Sequence, residues 1–80
     1  MEIDWRQHIH SHPQILGGKP VIRGTRISVE LVLEYLSEGG SFAEIIDGYP
    51  SLTEDDIRAA IAFMHDLLIK EAESARREAA

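Results

Sequence analysis

The chain has 80 residues, of which 44% are hydrophobic and 28% are charged, a composition that predicts one small globular domain rather than a disordered segment. It contains no cysteine, which excludes a disulfide scaffold, and no apolar run approaches the roughly 20 residues of a membrane-spanning helix. The first residues lack the basic and apolar regions of a signal peptide. We therefore expect a cytoplasmic protein that makes no membrane contact.

The net charge of −6 is distributed unevenly along the chain. Residues 1–27 carry four basic side chains against two acidic ones, a balance of +2, whereas residues 28–80 carry four against twelve, a balance of −8. An acidic body disfavours non-specific binding of nucleic acid, because that binding depends on Lys and Arg neutralising phosphates. Any contact with phosphate is therefore expected in the N-terminal segment.

The N-terminal residues allow two interpretations. Trp5 and Ile9 are four apart and would share one face of a helix capped by Asp4, which Pro13 would end. The alternative, which we favour, is extended structure over residues 9–16.

Three histidines, His8, His10 and His12, alternate in this segment and would share one face of a strand. Metal ligation is conceivable, but no Cys or cluster of carboxylates accompanies them beyond Asp4. Exposed surface histidines are the favoured interpretation, and no metal or cofactor is expected.

A glycine-rich basic stretch follows. Gly17 and Gly18 signal a turn, and residues 21–22 and 27–29 read as short β pieces around Gly24, which can adopt a positive φ. A period of two would place Arg23 and Thr25 on one face. Residues 1–29 are therefore predicted to form a β arm or hairpin.

Two short helices are predicted next from their caps. Ser28 is a good N-cap for a helix whose apolar residues recur at helical spacing until Gly39 and Gly40 stop it. Ser41 with Glu44 forms a capping-box pattern at the start of a helix over residues 42–47.

The longest helix is predicted over residues 54–69, capped by Thr53, with Asp56 placed favourably for the helix dipole. Its predicted core face consists of Ile57, Ala60, Ile61, Met64, Leu67 and Leu68. Residues 70–80 are strong helix formers without a large apolar side chain. This polar tail is either a solvated helix end or a segment that orders in the groove of a partner.

Three helices after a β segment are typical of a helix-turn-helix core. Residues 1–80 are therefore predicted to form one domain, whose helical core spans residues 30–69. The candidate recognition helix, however, begins with Thr53, Glu54, Asp55 and Asp56. Recognition helices reach base edges with their N-terminal residues, and these carboxylates would be repelled by a phosphate-lined groove. We expect this helix to be a poor reader of DNA.

Candidates for nucleic-acid contact are the basic residues of the arm, Lys19, Arg23 and Arg26, together with Thr25. Glycine beside a cation allows backbone N–H groups to approach an anion. In the alternative interpretation the glycines only make turns and the cations pair with the acidic body. No catalytic triad, paired catalytic carboxylates or cofactor fingerprint is visible, so we expect no enzymatic activity.

Two motifs closely resemble the DUF433 family, and the resemblance covers about residues 8–68. The first is Pro13-x-Ile15-x-Gly17-Gly18-Lys19-Pro20-x-Ile22-Arg23-Gly24-Thr25-Arg26-Ile27-x-Val29. The second is Ile45-x-x-x-Tyr49-Pro50-x-Leu52-Thr53-x-x-Asp56-Ile57-x-Ala59-Ala60. The resemblance implies a mainly α, homeodomain-like three-helix fold with an N-terminal β element.

The resemblance also implies an antitoxin of a type II toxin–antitoxin pair, whose usual partner is a PIN-like ribonuclease toxin. The expected function is neutralisation of that toxin by direct binding, with possible autoregulation of the operon. The alternative is a stand-alone DNA-binding regulator that uses the basic β arm. The unpaired edges of the arm are expected to pair with a second copy in a homodimer.

The polar tail carries the predicted toxin contacts. The acidic residues Glu71 and Glu73 suit a positive substrate surface on the toxin, whereas Arg76 or Arg77 would instead reach metal-binding carboxylates there. Contacts through the acidic residues and contacts through the arginines are both retained as predictions.

Overall fold

The computed structural model describes residues 3–79 and is mainly helical, with three α-helices and a two-stranded antiparallel hairpin, as predicted. Met1, Glu2 and Ala80 of the predicted domain lie outside the described residues. Among residues 3–79, no helix combines the length and the apolarity needed to cross a bilayer. In chain order the elements are a 3-10 turn at Trp5–Gln7, β1 at Ile9–His10, a 3-10 turn at Leu16–Gly18, β2 at Val21–Ile22, α1 at Val29–Ser37, α2 at Phe42–Gly48 and α3 at Glu54–Ala79.

The hairpin pairs β1 with β2, so that Ile9 lies opposite Ile22. Extended structure is confirmed at residues 9–10, whereas most of residues 11–16 form turns. The predicted β piece over residues 27–29 is wrong. Ser28 makes one isolated bridge with Val21, and α1 begins at Val29 because Ser28 caps it, its Oγ accepting from the N–H of Leu31.

This hairpin is not an arm beside the helices but one wall of the core. Ile9, Val21 and Ile22 are buried to 3% exposure or less, and Ile9 and Ile22 pack with apolar residues of all three helices. Three helices of this size bury little apolar surface by themselves, and the hairpin supplies the missing cover.

The end of α1 depends on two glycines. The N–H of Gly40 donates to the carbonyl of Tyr35 at 2.9 Å and that of Gly39 to Leu36 at 3.1 Å, the two bonds of a Schellman motif. Gly39 has φ of 92°, and a Cβ on Gly40 would lie 2.8 Å from the Tyr35 oxygen. The predicted end of α1 is therefore confirmed, and its geometry requires glycine at both Gly39 and Gly40.

The capping box of α2 is also confirmed, with Ser41 Oγ and the Glu44 carboxylate each accepting from the other residue's N–H. A similar box starts α3. Asp56 accepts from the N–H of Thr53 at 3.0 Å, and Thr53 Oγ1 accepts from the N–H of Asp56 at 3.1 Å. The second oxygen of Asp56 lies 2.8 Å from Nδ1 of His8, so the same carboxylate ties the hairpin to α3.

The predicted core face of α3 is only half right. Ile57 and Ala60 are fully buried, together with Ala59, but Ile61, Leu67 and Leu68 are exposed. The reason is length: α1 and α2 have nine and seven residues, and the small body that they form with the hairpin cannot cover a helix of 26 residues.

Replacing Asp56 by Ala should lower the free energy of unfolding by about 2 kcal/mol, because it removes a helix cap and leaves His8 without its partner. Urea denaturation measures the change. Asp55→Ala is the matched control: its side chain is 60% exposed and, within residues 3–79, pairs only with Arg58, so its effect should stay within about 0.5 kcal/mol. Equal losses in both variants would contradict the linking role of Asp56.

Candidate functional site

Basic side chains of the N-terminal segment lie together at the surface. Nε and Nη2 of Arg23 donate to the backbone carbonyl of Arg6 at 3.3 and 3.1 Å, and the guanidinium of Arg6 lies 4.5 Å from the ring centroid of Trp5. These contacts hold two guanidinium groups in place while leaving both residues exposed. Together with Arg26, they are called the basic surface below.

The predicted members of this surface do not all remain available. The Thr25 hydroxyl donates to the carbonyl of Ile22 at 2.8 Å and accepts from the N–H of Ile27 at 3.0 Å. A hydroxyl has one hydrogen to donate, and in Thr25 it closes the turn around Gly24, whose φ is 77°. Thr25 therefore shapes the turn and has no donor left for phosphate.

Lys19 pairs with Glu30 of α1 at 3.2 Å, as the alternative interpretation of the basic arm expected. Two amides of the glycine turn are also used internally: the N–H of Gly18 donates to Ile15 and that of Lys19 to Leu16. Arg26, by contrast, is exposed and forms no salt bridge within residues 3–79. Side-chain guanidiniums, rather than backbone amides, are what this surface offers to an anion.

The prediction that all three alternating histidines are exposed is wrong for His8 and His10, which are half-buried, and His8 lies against Asp56 because the hairpin packs on α3. Nδ1 of His12 accepts from the N–H of Gln14 in the next turn. In the part of the chain that the structure describes, no group of three His, Cys, Asp or Glu side chains is placed to hold a metal ion.

The start of α3 is acidic, as predicted, and is held by local pairs. Arg58 lies 3.7 Å from Glu54 and 3.6 Å from Asp55, while Asp56 binds His8. Two carboxylates thus share one guanidinium, and this helix start keeps its excess of negative charge.

Trp5 joins the N-terminal segment to the middle of α3. Its indole Nε1–H donates to Asp66 at 2.8 Å, and its ring meets Phe63 edge-on at 4.7 Å between centroids. The indole N–H and then His65 hold the pKa of Asp66 below its ordinary value, because both contacts stabilise the carboxylate. Beyond this junction, residues 67–78 are all exposed, and residues 67–79 are called the projecting end.

An apolar surface lies beside the junction. The α3 apolar face consists of Ile61, Met64, Leu67 and Leu68, with Leu68 61% exposed. It borders a groove of about 260 Å³ between α1 and α3, lined by Pro20, Val29, Leu33, Phe63, Met64 and Leu67, with Lys19 and Glu30 as its charged members.

The predicted partner residues Glu71, Glu73, Arg76 and Arg77 all lie on the projecting end, where each is exposed and forms no salt bridge within residues 3–79. The structure therefore separates two candidate surfaces. The basic surface belongs to the packed body, and the partner residues belong to the exposed end of α3.

The family model described as "Protein of unknown function (DUF433)" matches residues 9–64. The chain belongs to the DUF433 family. The match covers the hairpin, α1, α2 and the buried half of α3, and it stops before the projecting end.

Two similar proteins extend this comparison. The chain is 42% identical over 55 residues to the uncharacterized protein y4eO of Sinorhizobium fredii, covering 69% of this chain and 25% of that protein. It is similar to a crystal structure of a DUF433 member protein from Anabaena variabilis, with a TM-score of 0.69 and 33% identity over 88% of this chain and 65% of that one. The chain thus spans a quarter of its curated relative and about two thirds of its solved one.

The sequence did not predict the pairing of Asp56 with His8 or the contact of Trp5 with Asp66. The spacing of Thr53 and Asp56 carries a visible capping signal, because three residues separate a hydroxyl from a carboxylate. The pairings of Asp56 with His8 and of Trp5 with Asp66 join residues 48 and 61 positions apart and have no local signal.

The junction should respond to acid. Because the pKa of Asp66 is lowered in the folded state, its contribution to stability is present above the ordinary Asp pKa and is lost as pH falls through the lowered one. The NMR shift of the Trp5 indole N–H should move with that titration. Asp66→Asn should remove the pH dependence, and an indole signal in the wild type that ignores acid would contradict the contact.

Proposed function

We propose that this chain is a non-enzymatic cytoplasmic antitoxin that neutralises a PIN-like ribonuclease toxin by direct binding and autoregulates its operon. The observation that carries this proposal is the projecting end of α3, whose residues 67–78 are all exposed and whose charged side chains form no salt bridge within residues 3–79. The resemblance to DUF433 supplies the class of partner.

The projecting end has the properties of a segment that gains from a partner. It has about 13 residues and a length of roughly 20 Å, and an isolated helix of that size is marginal in water. A partner groove would supply the packing that the body of this chain does not. Helix-in-groove binding is a common mode of recognition and suits such an end.

The charges of the projecting end offer two routes of inhibition. Glu71 and Glu78 are seven apart and share one side of the helix, while Glu73 and Arg77 are four apart and share another. Acidic residues suit the positive surface with which a ribonuclease holds RNA, and arginines suit carboxylates that hold its metal ion. Substitutions of each sign separate the two routes.

For this test, the toxin encoded beside the gene is co-expressed with each variant, and growth and co-purification are measured. If carboxylates block the toxin, Glu73→Lys should weaken the complex about tenfold or more. If arginines do, the double change Arg76→Glu and Arg77→Glu should have that effect.

The matched control is Glu38→Lys at the end of α1, an exposed charge outside the projecting end, which should bind like the wild type. Wild-type affinity in both tail variants, or a neighbour that is not toxic, would contradict the proposal.

A second candidate function is DNA binding by the basic surface. The observation that favours it is the fixed position of Arg23, held by two hydrogen bonds to Arg6, beside an Arg26 without a salt-bridge partner within residues 3–79. Prepositioned guanidiniums pair well with phosphates because less side-chain freedom is lost on binding.

Changing Arg23 and Arg26 of the basic surface together to Ala should weaken operator binding and flatten its dependence on salt, by about 0.9 in slope for each phosphate that the variant no longer neutralises. Fluorescence anisotropy over a salt series measures this slope. Lys70→Ala on the projecting end is the control and should leave the slope unchanged. Absence of wild-type binding at low salt would remove this candidate.

A further inference from the structure

We propose that the α3 apolar face is covered by a second copy of this chain, with the two α3 helices antiparallel about a two-fold axis near Leu68. The starting observation is exposure. Leu68 is 61% exposed, Leu67 40% and Ile61 39%. Leu67 lines the apolar groove between α1 and α3, Ile61 lines a second hollow with Ile3 and Trp5, and Leu68 lies between Leu67 and Ile61 around the helix. A contiguous apolar surface of this kind marks an interaction site.

The shape of the face fits its own inverted copy. Residues 61, 64, 68, 72 and 75 follow the three- and four-residue spacing that keeps side chains on one side of a helix. The large members come first, at Ile61, Met64 and Leu68, and the small ones last, at Ala72 and Ala75.

Antiparallel pairing about Leu68 sets Ile61 against the Ala75 position of the other copy and Met64 against its Ala72 position. Leu68 meets its own copy at the axis, and on either side of it large side chains meet small ones, which permits close packing. Parallel pairing would instead set large against large and leave a gap between the alanines.

The charges at the two ends of α3 also favour the antiparallel arrangement. The first turn of α3 holds Glu54, Asp55 and Asp56, and its last turn holds Arg76 and Arg77. Arg76 is the nearer of the two arginines to the apolar face, and in an antiparallel pair it lies toward the acidic start of the other helix, whereas a parallel pair would place like charges together.

Glu71 follows Leu67 by one turn on the groove side and would lie toward the other copy's groove, at whose rim Lys19 stands. The ion pair of Lys19 with Glu30 leaves hydrogens of that ammonium free to donate.

This interface replaces the one that the sequence suggested at the hairpin. Each strand has only two residues, so an edge pairing would add few hydrogen bonds, while the α3 face offers apolar area. A two-fold contact uses the same patch on both copies, as most homodimers do. Glu73 and Arg77 lie on the opposite side of the helix and stay accessible to a toxin.

Sedimentation velocity of the full chain over a concentration series tests the proposal. The wild type should be a dimer that dissociates on dilution, and Leu68→Glu should be a folded monomer, since Leu68 contributes little to the body. Ile69→Glu is the matched control: Ile69 is 45% exposed but points about 100° away, so this variant should remain a dimer. A wild type that stays monomeric at every concentration would overturn the proposal.

Cross-linking tests the position of the axis without depending on affinity. The chain has no cysteine, so Leu68→Cys under mild oxidation should give one disulfide-linked dimer, because residues on a two-fold axis meet their own copies. Ile69→Cys should stay monomeric on a non-reducing gel. Equal cross-linking of both variants, or none for Leu68→Cys, would overturn the antiparallel arrangement. No toxin is present in either experiment, so their failure is distinct from failure of the proposed function.

Discussion

The packing of the hairpin against the first half of α3 is the contact on which the rest of the molecule depends. It buries Ile9 and Ile22 against the helices, and the Asp56 carboxylate fixes it by capping α3 and binding His8 at once. A domain of 80 residues buries little apolar surface, so the loss of this one packing contact would expose a large part of the core. Because Asp56 serves two partners, helix start and hairpin position are set together.

Both candidate surfaces follow from this joint. On one side, it fixes the segment that carries Arg23 against the backbone of Arg6, so the basic surface belongs to the packed body. On the other, it concentrates the packing in the first half of α3, so that residues 67–78 are all exposed, with Leu67 at the edge of the α1–α3 groove. A basic surface on the packed body and an exposed helix end thus have the same structural origin, and they suit the two tasks proposed for them.

The sequence predicted those features that depend on neighbouring residues. Ser28, Ser41 with Glu44, and the pair Gly39 and Gly40 act within one or two turns, and the helix ends they predict agree closely with the structure. The predictions that were wrong depend on contacts between residues far apart in the chain. Leu68 continues the same helical spacing as Ile57, and this spacing is identical whether or not another element covers the residue. In the same way, the sequence places Thr25 beside basic residues and predicts a binding role, but the structure shows that its hydroxyl closes a turn.

The abrupt end of packing at Asp66 divides the molecule into two regions of different cooperativity. Opening of the body requires the core to separate, whereas residues 67–79 can lose their helix without disturbing a single buried side chain. A protease that needs an extended substrate would therefore find a cleavable segment in the free chain, with Lys70, Arg76 and Arg77 in it, even when the core is intact. Occupation of that segment by any partner would close this route, so the lifetime of the chain would depend on whether it is bound.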